Sequence, residues 1–212
     1  MLIKWKHELI LDLCKNKKIL HIWCTDSPLT KERARKNKLL HQKLMKVTKN
    51  IDWLDYSRDD ILYLKKEYNI NYIYWWDIIK WEYEIKLENT YDYIIFWDVI
   101  EHLENPWLAL ENIKKIMWKN TKLILTTPNV FQYKNILTYI TWKEHVHPDH
   151  VFWPSKKTLD VLIWKCWFKI QHFEYCFEKH SKIYSLKWKI FFNLILKYRK
   201  DLLPTMYYEL SK

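Results

Sequence analysis

The stretch YDYIIFWDVIEHLENPWLALENIKKIMWKNTKLILTTPN, residues 91–129, decides the fold of this chain. It begins with an apolar run over 91–97 that is typical of a buried strand. Asn105, a favourable helix N-cap, precedes a proline that suits the first helical position, which predicts a helix over 106–117. The apolar run over 121–127 predicts a second strand. A strand, a helix and a strand in this order indicate a βαβ unit with parallel strands.

The same alternation of helical and strand-like periodicity continues on both sides of this unit. Further strands are predicted at 18–23, 50–55, 71–74, 168–177 and 205–211, and further helices at 2–14, 30–47, 58–67, 155–165 and near 182–199. This order of elements predicts an α/β fold with a largely parallel sheet. We expect a single domain over 1–212, with a core at 15–178 and a basic amphipathic helix and final strand within 179–212.

Composition narrows the classes of protein that remain. With 212 residues, of which 49% are apolar and 17% aromatic, the chain can bury a core and is not disordered. It has no run of about 18 apolar residues, and its first residues lack a signal-peptide cleavage pattern, so we expect neither a membrane span nor a secretion signal. The cysteines show no CxxC pair or zinc spacing, which predicts ordinary thiols in the cytoplasm.

Glycine is absent from the sequence, whereas tryptophan occurs fourteen times. About 7% glycine, roughly 15 residues, is usual for this length. The tryptophans stand where turns are predicted, as Trp23, Trp97 and Trp118 do, although turns favour a residue without a side chain. We therefore predict that the nominal tryptophan codons are UGA triplets that the source organism decodes as glycine. A glycine-free design and a truly tryptophan-rich protein are the alternatives.

The net charge of +11 could indicate a nucleic-acid partner. Lysine is spread along the whole chain, however, and only four of the 36 basic residues are arginine. This usage, together with only two alanines, is typical of an AT-rich genome, which also favours UGA over glycine codons, so a nucleic-acid partner is possible but not favoured. The basic segment 31–49 is interpreted as a solvated helix face. Segment 186–200 is expected to pack on the sheet, with peripheral membrane contact or substrate covering as alternatives.

Polar residues follow the carboxyl ends of the predicted parallel strands, where ligands bind in such sheets. The first strand ends at Trp23, where glycine would let the backbone approach a ligand closely. Asp55 ends the second strand, and a carboxylate there typically accepts hydrogen bonds from a ribose diol. Asp77 and Asp98 follow the third and fourth strands. Four such strand ends in order favour a ligand site over isolated helix caps.

Segment 91–129 and these strand ends resemble the class I S-adenosylmethionine-dependent methyltransferases, over roughly 15–178. The specific part is an acid–x–x–Glu–His–Leu segment that begins at Asp98, followed by a strand that ends in Thr-Pro-Asn. The resemblance implies a Rossmann-like, doubly wound, mostly parallel seven-stranded sheet with an antiparallel last strand. It also implies S-adenosylmethionine as the cofactor, held by Trp23, Cys24, Asp26, Asp55, Tyr56, Asp77, Ile78, Trp97 and Asp98.

By this resemblance, Asp55 binds the ribose hydroxyls, Tyr56 flanks the adenine and Asp77 meets the adenine amino group. Asp98 lies near the methionine moiety. The cofactor turn departs from the family pattern, because His21 stands at the acid position and Thr25 and Ser27 stand at the second and third glycine positions. Asp26 is the carboxylate that could replace the missing acid.

The predicted catalytic residues are Glu101, His102 and His150, with His145 and His147 in the same loop as further candidates. A hydroxyl nucleophile needs its proton removed, in addition to alignment with the methyl donor. Small-RNA 2′-O-methyltransferases and ubiquinone-pathway O-methyltransferases use a similar segment to hold a divalent metal. On that analogy Asp98, Glu101, His102 and His150 form an alternative Mg²⁺ or Mn²⁺ site. We favour a metal-free role, in which Glu101 and His102 orient the loop.

The sequence therefore predicts an S-adenosylmethionine-dependent methyltransferase that modifies a hydroxyl of a small molecule or glycan. An RNA methyltransferase stays open, as does a non-catalytic Rossmann-like binding protein if His21 and Thr25 abolish cofactor affinity. A dinucleotide-dependent dehydrogenase fits poorly, because Asp55 lies 32 residues after Trp23 instead of about 20. The oligomeric state is not predicted.

Overall fold

The computed structural model describes residues 6–84, 87, 90–142, 147–177 and 198–212. Its helices are α1 (Lys6–Cys14), α2 (Thr30–Arg35), α3 (Leu40–Leu44), α4 (Arg58–Tyr68), α5 (Pro106–Ile116), α6 (Tyr133–Ile140) and α7 (Lys156–Lys165), with 3₁₀ turns at Ile100–His102 and Lys200–Leu202. Its strands are β1 (Ile19–Ile22), β2 (Ile51–Asp55), β3 (Ile73–Asp77), β4 (Glu82–Tyr83), β5 (Tyr93–Trp97), β6 (Lys122–Pro128), β7 (Lys169–Cys176) and β8 (Thr205–Ser211).

These strands form one sheet in the order β4-β3-β2-β1-β5-β6-β8-β7. Strand β1 pairs in parallel with both β2 and β5, so the strand order reverses between β1 and β5. Strand β8 is antiparallel to both of its neighbours, β6 and β7. The predicted doubly wound, mostly parallel sheet with an antiparallel last strand is confirmed. The two-residue β4 adds an edge strand to the seven that were predicted.

The central strands of the sheet are buried on both faces, as their apolar sequences require. In β5, Ile94 and Phe96 pack into one apolar cluster and Ile95 into the other, because successive side chains of a strand point to opposite faces. Helices α5 and α7 cover the first cluster, and helices α1, α3 and α4 cover the second. The carboxyl ends of the parallel strands are thereby held at one edge of the sheet.

Helix α5, which was predicted over 106–117, starts directly after its predicted N-cap, Asn105. The Asn105 side chain accepts a hydrogen bond from Leu108 N at 3.0 Å, and the following proline occupies the first turn. Helix α7 begins in the same way with a reciprocal capping box between Ser155 and Thr158. Such caps satisfy backbone donors that the first helical turn leaves unpaired, which fixes where a helix starts.

The single helix predicted over 30–47 is wrong, because the structure has the two short helices α2 and α3 there. The chain turns at Asn37, whose φ is 51°, and Lys38 N donates to Arg33 O at 2.9 Å to close the end of α2. Helix α6 was not predicted. The helix predicted near 182–199 lies almost entirely outside the described residues. Within the described ranges, no helix is long and apolar enough to cross a membrane.

Candidate functional site

A cavity of about 560 Å³ opens at the carboxyl ends of β1, β2 and β3. Its lining comes from residues 22–23, 54–56 and 76–80 at these strand ends and from the turn 102–105 that follows β5. Ligand pockets in proteins commonly enclose about 300–1,000 Å³. The cavity also adjoins the point where the strand order reverses, which is where doubly wound sheets bind ligands.

Asp55 places a buried carboxylate at the wall of this cavity. Its side chain accepts hydrogen bonds from Thr25 N at 2.9 Å and Ser57 N at 2.8 Å, one on each carboxylate oxygen. Burial raises the pKa of Asp55 to about 6, while the two backbone amides act in the opposite direction. The group is therefore mostly ionised at neutral pH, and each oxygen keeps a lone pair that can accept a ligand's hydroxyl proton.

Asp77 provides a second acidic acceptor, at the end of the neighbouring strand. One of its oxygens accepts from the backbone N–H groups of Ile79 and Lys80, both at 2.9 Å, and the other lies 3.9 Å from the Lys80 ammonium. Tyr56 lines the same cavity and is half exposed, at 56%. Its carbonyl oxygen accepts a hydrogen bond from the indole of Trp75 at 3.0 Å, which anchors the backbone at this position.

Trp23 brings the most unusual backbone to the cavity. Its φ is 59°, in the left-handed region, and its N–H donates to Leu54 O at 2.7 Å. The indole lines the cavity and lies 6.0 Å from the imidazole of His102, measured between ring centroids. A large side chain therefore lies in the wall of the cavity, beside the histidine that follows β5.

Not all predicted cofactor residues reach the cavity. Trp23, Asp55, Tyr56, Asp77 and Ile78 line it. Cys24 is instead buried in the apolar cluster beneath the sheet, where burial raises the pKa of its thiol well above the usual range. Asp26 forms an ion pair with Arg33 at 2.8 Å and does not line the cavity.

Trp97 and Asp98 are engaged by helix α1 and do not line the cavity. The Lys6 ammonium forms an ion pair with the Asp98 carboxylate and lies 4.2 Å from the centre of the Trp97 ring. Asp98 also accepts a hydrogen bond from the Thr126 hydroxyl at 2.9 Å. No sequence pattern signals that a lysine 92 residues away reaches Asp98.

The three predicted catalytic residues, Glu101, His102 and His150, do lie together. A side-chain ligand atom of each lies within 4.8 Å of the others. Asp98, the fourth residue of the alternative metal site, is not part of this group, because it points to Lys6. His147 lies near by, with ring centroids 5.0 Å from His150, whereas His145 falls outside the described residues.

His102 is fixed in one tautomer if its ring is neutral. Its Nδ1 lies 3.1 Å from the carbonyl oxygen of Asp149. Because a carbonyl oxygen can only accept, Nδ1 must carry the proton, which leaves a lone pair on Nε2. His102 also lines the cavity, so a base or a metal ligand is available beside the acids at the strand ends.

Glu101 ties the loop that carries Asp149 and His150 to the sheet. Its carbonyl oxygen accepts from Val151 N at 2.9 Å and Phe152 N at 3.0 Å, and one carboxyl oxygen accepts from the Thr127 hydroxyl at 3.0 Å. The other carboxyl oxygen is buried and has no hydrogen-bond partner in the described part of the chain. Burial, and next the negative charge of Asp98, raise the pKa of Glu101 well above its usual range.

His150 completes the cluster as a neutral ring. Burial, followed by the neighbouring His102 and His147, lowers the pKa of His150 to about 4. Its ring centroid lies 4.7 Å from that of His102. A neutral imidazole can accept a proton or coordinate a metal. The cluster could therefore act as a base or hold a cation beside the buried oxygen of Glu101.

His21, at the family's acid position, belongs to the core and not to the cavity. Its Nδ1 lies 3.3 Å from Nδ1 of His41, and burial lowers the pKa of His21 to about 3. The two rings are stacked with an interplanar angle of 5°. A neutral pair can share one proton between these nitrogens, so His21 is satisfied by His41 and offers no charge to a ligand.

Comparisons with known proteins agree with this architecture. The sequence model described as "Methyltransferase domain" matches residues 16–173. Among solved structures, a SAM-dependent methyltransferase from Archaeoglobus fulgidus is 16% identical, with a TM-score of 0.56 over 98% of this chain and 95% of that one. The N-methyltransferase NodS from Bradyrhizobium japonicum, solved with S-adenosyl-L-homocysteine, is 13% identical, with a TM-score of 0.56 over 98% and 85%.

The small RNA methyltransferase HEN1 is 14% identical, with a TM-score of 0.60, and the match covers all of this chain and 26% of that one. No curated protein matches the chain in sequence. At these identities the solved structures show a shared fold.

Proposed function

We propose a function from the premise that this chain belongs to the methyltransferase domain family, whose sequence model spans most of it. In this proposal the protein transfers a methyl group from S-adenosylmethionine to a hydroxyl of a small molecule or glycan. The main support for this proposal is that one cavity is lined both by two acids at strand ends, Asp55 and Asp77, and by His102. The four free, buried cysteines support action in the cytoplasm.

The residues of the cavity fit this cofactor. Asp55 and Asp77 are acceptors, which suits the ribose hydroxyls and the adenine amino group, and Tyr56 offers an aromatic face at the mouth. When bound, S-adenosylmethionine supplies a methyl group activated by a positively charged sulfur. The chain itself has to hold the acceptor in line with that methyl group and exclude water. Glycine in place of Trp23 would remove the indole that lines this cavity.

His102 is the residue best suited to accept the acceptor's proton. Its Nε2 keeps a lone pair while Nδ1 donates to Asp149 O, and the ring faces the cavity. A positioned general base typically contributes about 10²–10⁴-fold to a rate. Glu101 and His150 act as positioning residues, because Glu101 anchors the loop that carries Asp149 and His150.

Cofactor binding is the direct test of this function. The chain with glycine at its tryptophan positions should bind S-adenosylhomocysteine in isothermal titration calorimetry. It should also transfer labelled methyl groups from S-adenosylmethionine to hydroxylated small molecules or glycans. Binding without transfer to any acceptor would favour a non-catalytic binding protein. Transfer only to RNA would favour the RNA methyltransferase alternative, for which the net charge of +11 and the fold shared with HEN1 are the supporting observations.

A divalent cation at Glu101, His102 and His150 is a second candidate feature of this site. The buried oxygen of Glu101 that lacks a partner in the described residues favours it, since a cation would satisfy that oxygen. One carboxylate and two imidazole nitrogens suit Mn²⁺ better than Mg²⁺, which prefers oxygen ligands. Loss of transfer after EDTA treatment, with recovery on added Mn²⁺, would support the cation. Unchanged transfer would support the metal-free base.

A further inference from the structure

Nine of the described residues have a left-handed backbone, with positive φ. Five are asparagine or aspartate, namely Asn16, Asp26, Asn37, Asn69 and Asp98, and four are tryptophan, namely Trp23, Trp81, Trp142 and Trp167 with φ of 59°, 63°, 58° and 59°. Asparagine and aspartate tolerate this region because their short polar side chains bond locally. Tryptophan does not, whereas glycine enters the region without steric cost. Tryptophan therefore occupies four positions at which glycine, asparagine or aspartate is expected.

Trp167 stands at the position of a helix end that glycine usually occupies. After α7, Trp167 N donates to Trp164 O at 2.8 Å, and Phe168 N donates to Ile163 O at 3.1 Å. This pair of bonds is the Schellman motif, whose left-handed residue is most often glycine. Phe168 and Ile163 also pack in the same apolar cluster, as the motif's hydrophobic contact requires. Every feature of the motif is present except the residue type.

The same motif ends α2, and there the residue type is the expected one. Asn37 N donates to Ala34 O at 3.0 Å and Lys38 N donates to Arg33 O at 2.9 Å. The chain therefore uses asparagine where tryptophan occurs after α7. The comparison isolates residue type, because the hydrogen-bond pattern is the same at both ends.

Packing does not explain the indoles at these helix ends. Trp142, directly after the C-cap of α6, is 97% exposed, and Trp167 is 76% exposed. An exposed indole gains little burial that could offset a left-handed backbone. Trp142 N donates to Tyr139 O at 3.0 Å, as the left-handed residue of such a helix end does.

Two buried tryptophans also fit their positions poorly, because their indole N–H groups lack acceptors among the described residues. The indole N–H groups of Trp53 and Trp76 are buried and have no acceptor within the part of the chain that the structure describes. Trp53 also lies directly against the His41 ring in the core. Buried tryptophan normally pairs its N–H, and leaving a buried donor unpaired is costly.

We propose that the protein made in its own host carries glycine at the tryptophan positions, with the left-handed positions 23, 81, 142 and 167 as the clearest cases. The strand-end position 23 has a functional consequence that rests on the proposed function. Glycine there removes the indole from the cavity that Asp55 and His102 also line and lets the backbone approach the cofactor, so position 23 belongs to the binding site through its lack of a side chain.

Identity of the residue is measured first, without reference to activity. Peptides of the protein isolated from its host are sequenced by mass spectrometry, and the codons of the gene are read. Glycine masses at positions 23, 142 and 167, with UGA codons there, are the expected result. Tryptophan masses at these positions, or UGG codons at most of the fourteen, would overturn the proposal whatever the enzyme does.

Stability separates backbone strain from a general effect of removing indoles. In the chain made with literal tryptophan, Trp142→Gly and Trp167→Gly should each raise the Tm by about 2–6 °C, because the left-handed region disfavours a residue with a Cβ atom. The matched control is Trp164→Gly, which removes an indole that is 69% exposed inside α7. It should lower the Tm by about 1–4 °C, since glycine weakens a helix interior. Equal shifts at all three positions would contradict the assigned backbone requirement.

Binding tests the consequence at position 23. Titration of S-adenosylhomocysteine into the literal chain and into its Trp23→Gly variant should give about tenfold or greater tightening in the variant, equivalent to about 1.4 kcal/mol. Unchanged affinity in a chain that binds would refute the role of position 23 in the cavity. If neither chain binds, and a chain with glycine at all fourteen positions does not bind either, the proposed function is refuted. The residue assignment still stands if the host peptides carry glycine.

Discussion

Replacing Asp55 by alanine should weaken S-adenosylhomocysteine binding by about 1.5–3 kcal/mol, which is about 10–150-fold in Kd. The figure follows from the carboxylate's environment. Both oxygens already accept one backbone amide, from Thr25 and Ser57, so each has one lone pair left for a ligand hydroxyl. The variant thus loses two hydrogen bonds to a charged acceptor, although the two exposed amides can recover part of the loss through water.

The same carboxylate predicts how binding depends on pH. Because burial raises the pKa of Asp55 to about 6, the free protein begins to protonate this group just below neutral pH. A protonated carboxyl is a weaker acceptor for ligand hydroxyls, so affinity should fall as pH drops through 6 and level off above 7. In the Asp55→Ala variant the fall should disappear.

Isothermal titration calorimetry between pH 5 and pH 8, in the chain that carries Trp23→Gly, measures both effects. Asp59→Asn is the matched control, because Asp59 is exposed in the first turn of α4 and does not line the cavity. It should leave Kd unchanged. An Asp55→Ala variant that is folded by circular dichroism and binds as tightly as its parent would remove Asp55 from the ligand site.

Three further outcomes are expected. His102→Ala should lower turnover by about 10²–10⁴-fold and leave cofactor affinity intact, measured by steady-state kinetics and calorimetry; full turnover would exclude a base at this position. As the pH drops below 6.5, the free energy of unfolding should fall by up to about 1.4 kcal/mol per pH unit on account of His21. The pKa of about 3 keeps His21 unprotonated in the folded protein, whereas the unfolded chain takes up a proton there. His21→Leu should flatten that slope in urea titrations at pH 4–7, and an unchanged slope would assign it to other groups such as His41. Lys6→Met should destabilise the fold by about 1.5–3 kcal/mol, because it removes the ion pair between the buried Lys6 ammonium and the partly exposed Asp98 carboxylate, and Asp98→Asn in the same chain should recover part of that loss; additive losses in chemical denaturation would contradict this.

Much of the fold could be predicted from sequence, because the central strands are apolar runs and helices α4, α5 and α7 each begin at a side-chain cap. Asn105 marks the start of α5, and a hydrogen bond to Leu108 N confirms it as the cap. The region after Thr30 could not be predicted so well, since periodicity over 30–47 is continuous through the break. The break depends on the left-handed backbone of Asn37, and asparagine is compatible with either a helix or a turn.

One part of the candidate site was predictable from a rule of topology. Parallel strands bring their carboxyl ends to one edge of the sheet, so Asp55 and Asp77 were expected to share a site, and both line the cavity. Asp98 also follows a strand, but its neighbour Lys6 lies on α1, and sequence gives no signal for that contact. Long-range ion pairs depend on how helices pack on the sheet, which local patterns do not specify.

Glu101 connects the sheet to the loop that carries His150, and it does so more directly than any acid at a strand end. Its carboxyl group is held by Thr127 at the end of β6, its carbonyl oxygen holds the loop through Val151 and Phe152, and the next residue is His102. A change at Glu101 would therefore move the loop and the cavity wall together. Its raised pKa means that the buried carboxyl group prefers to be neutral unless a positive charge lies beside it. The proton-transfer and cation alternatives thus differ in the role of His102, as a base or a ligand, and in whether a proton or a metal ion neutralises the Glu101 carboxyl group.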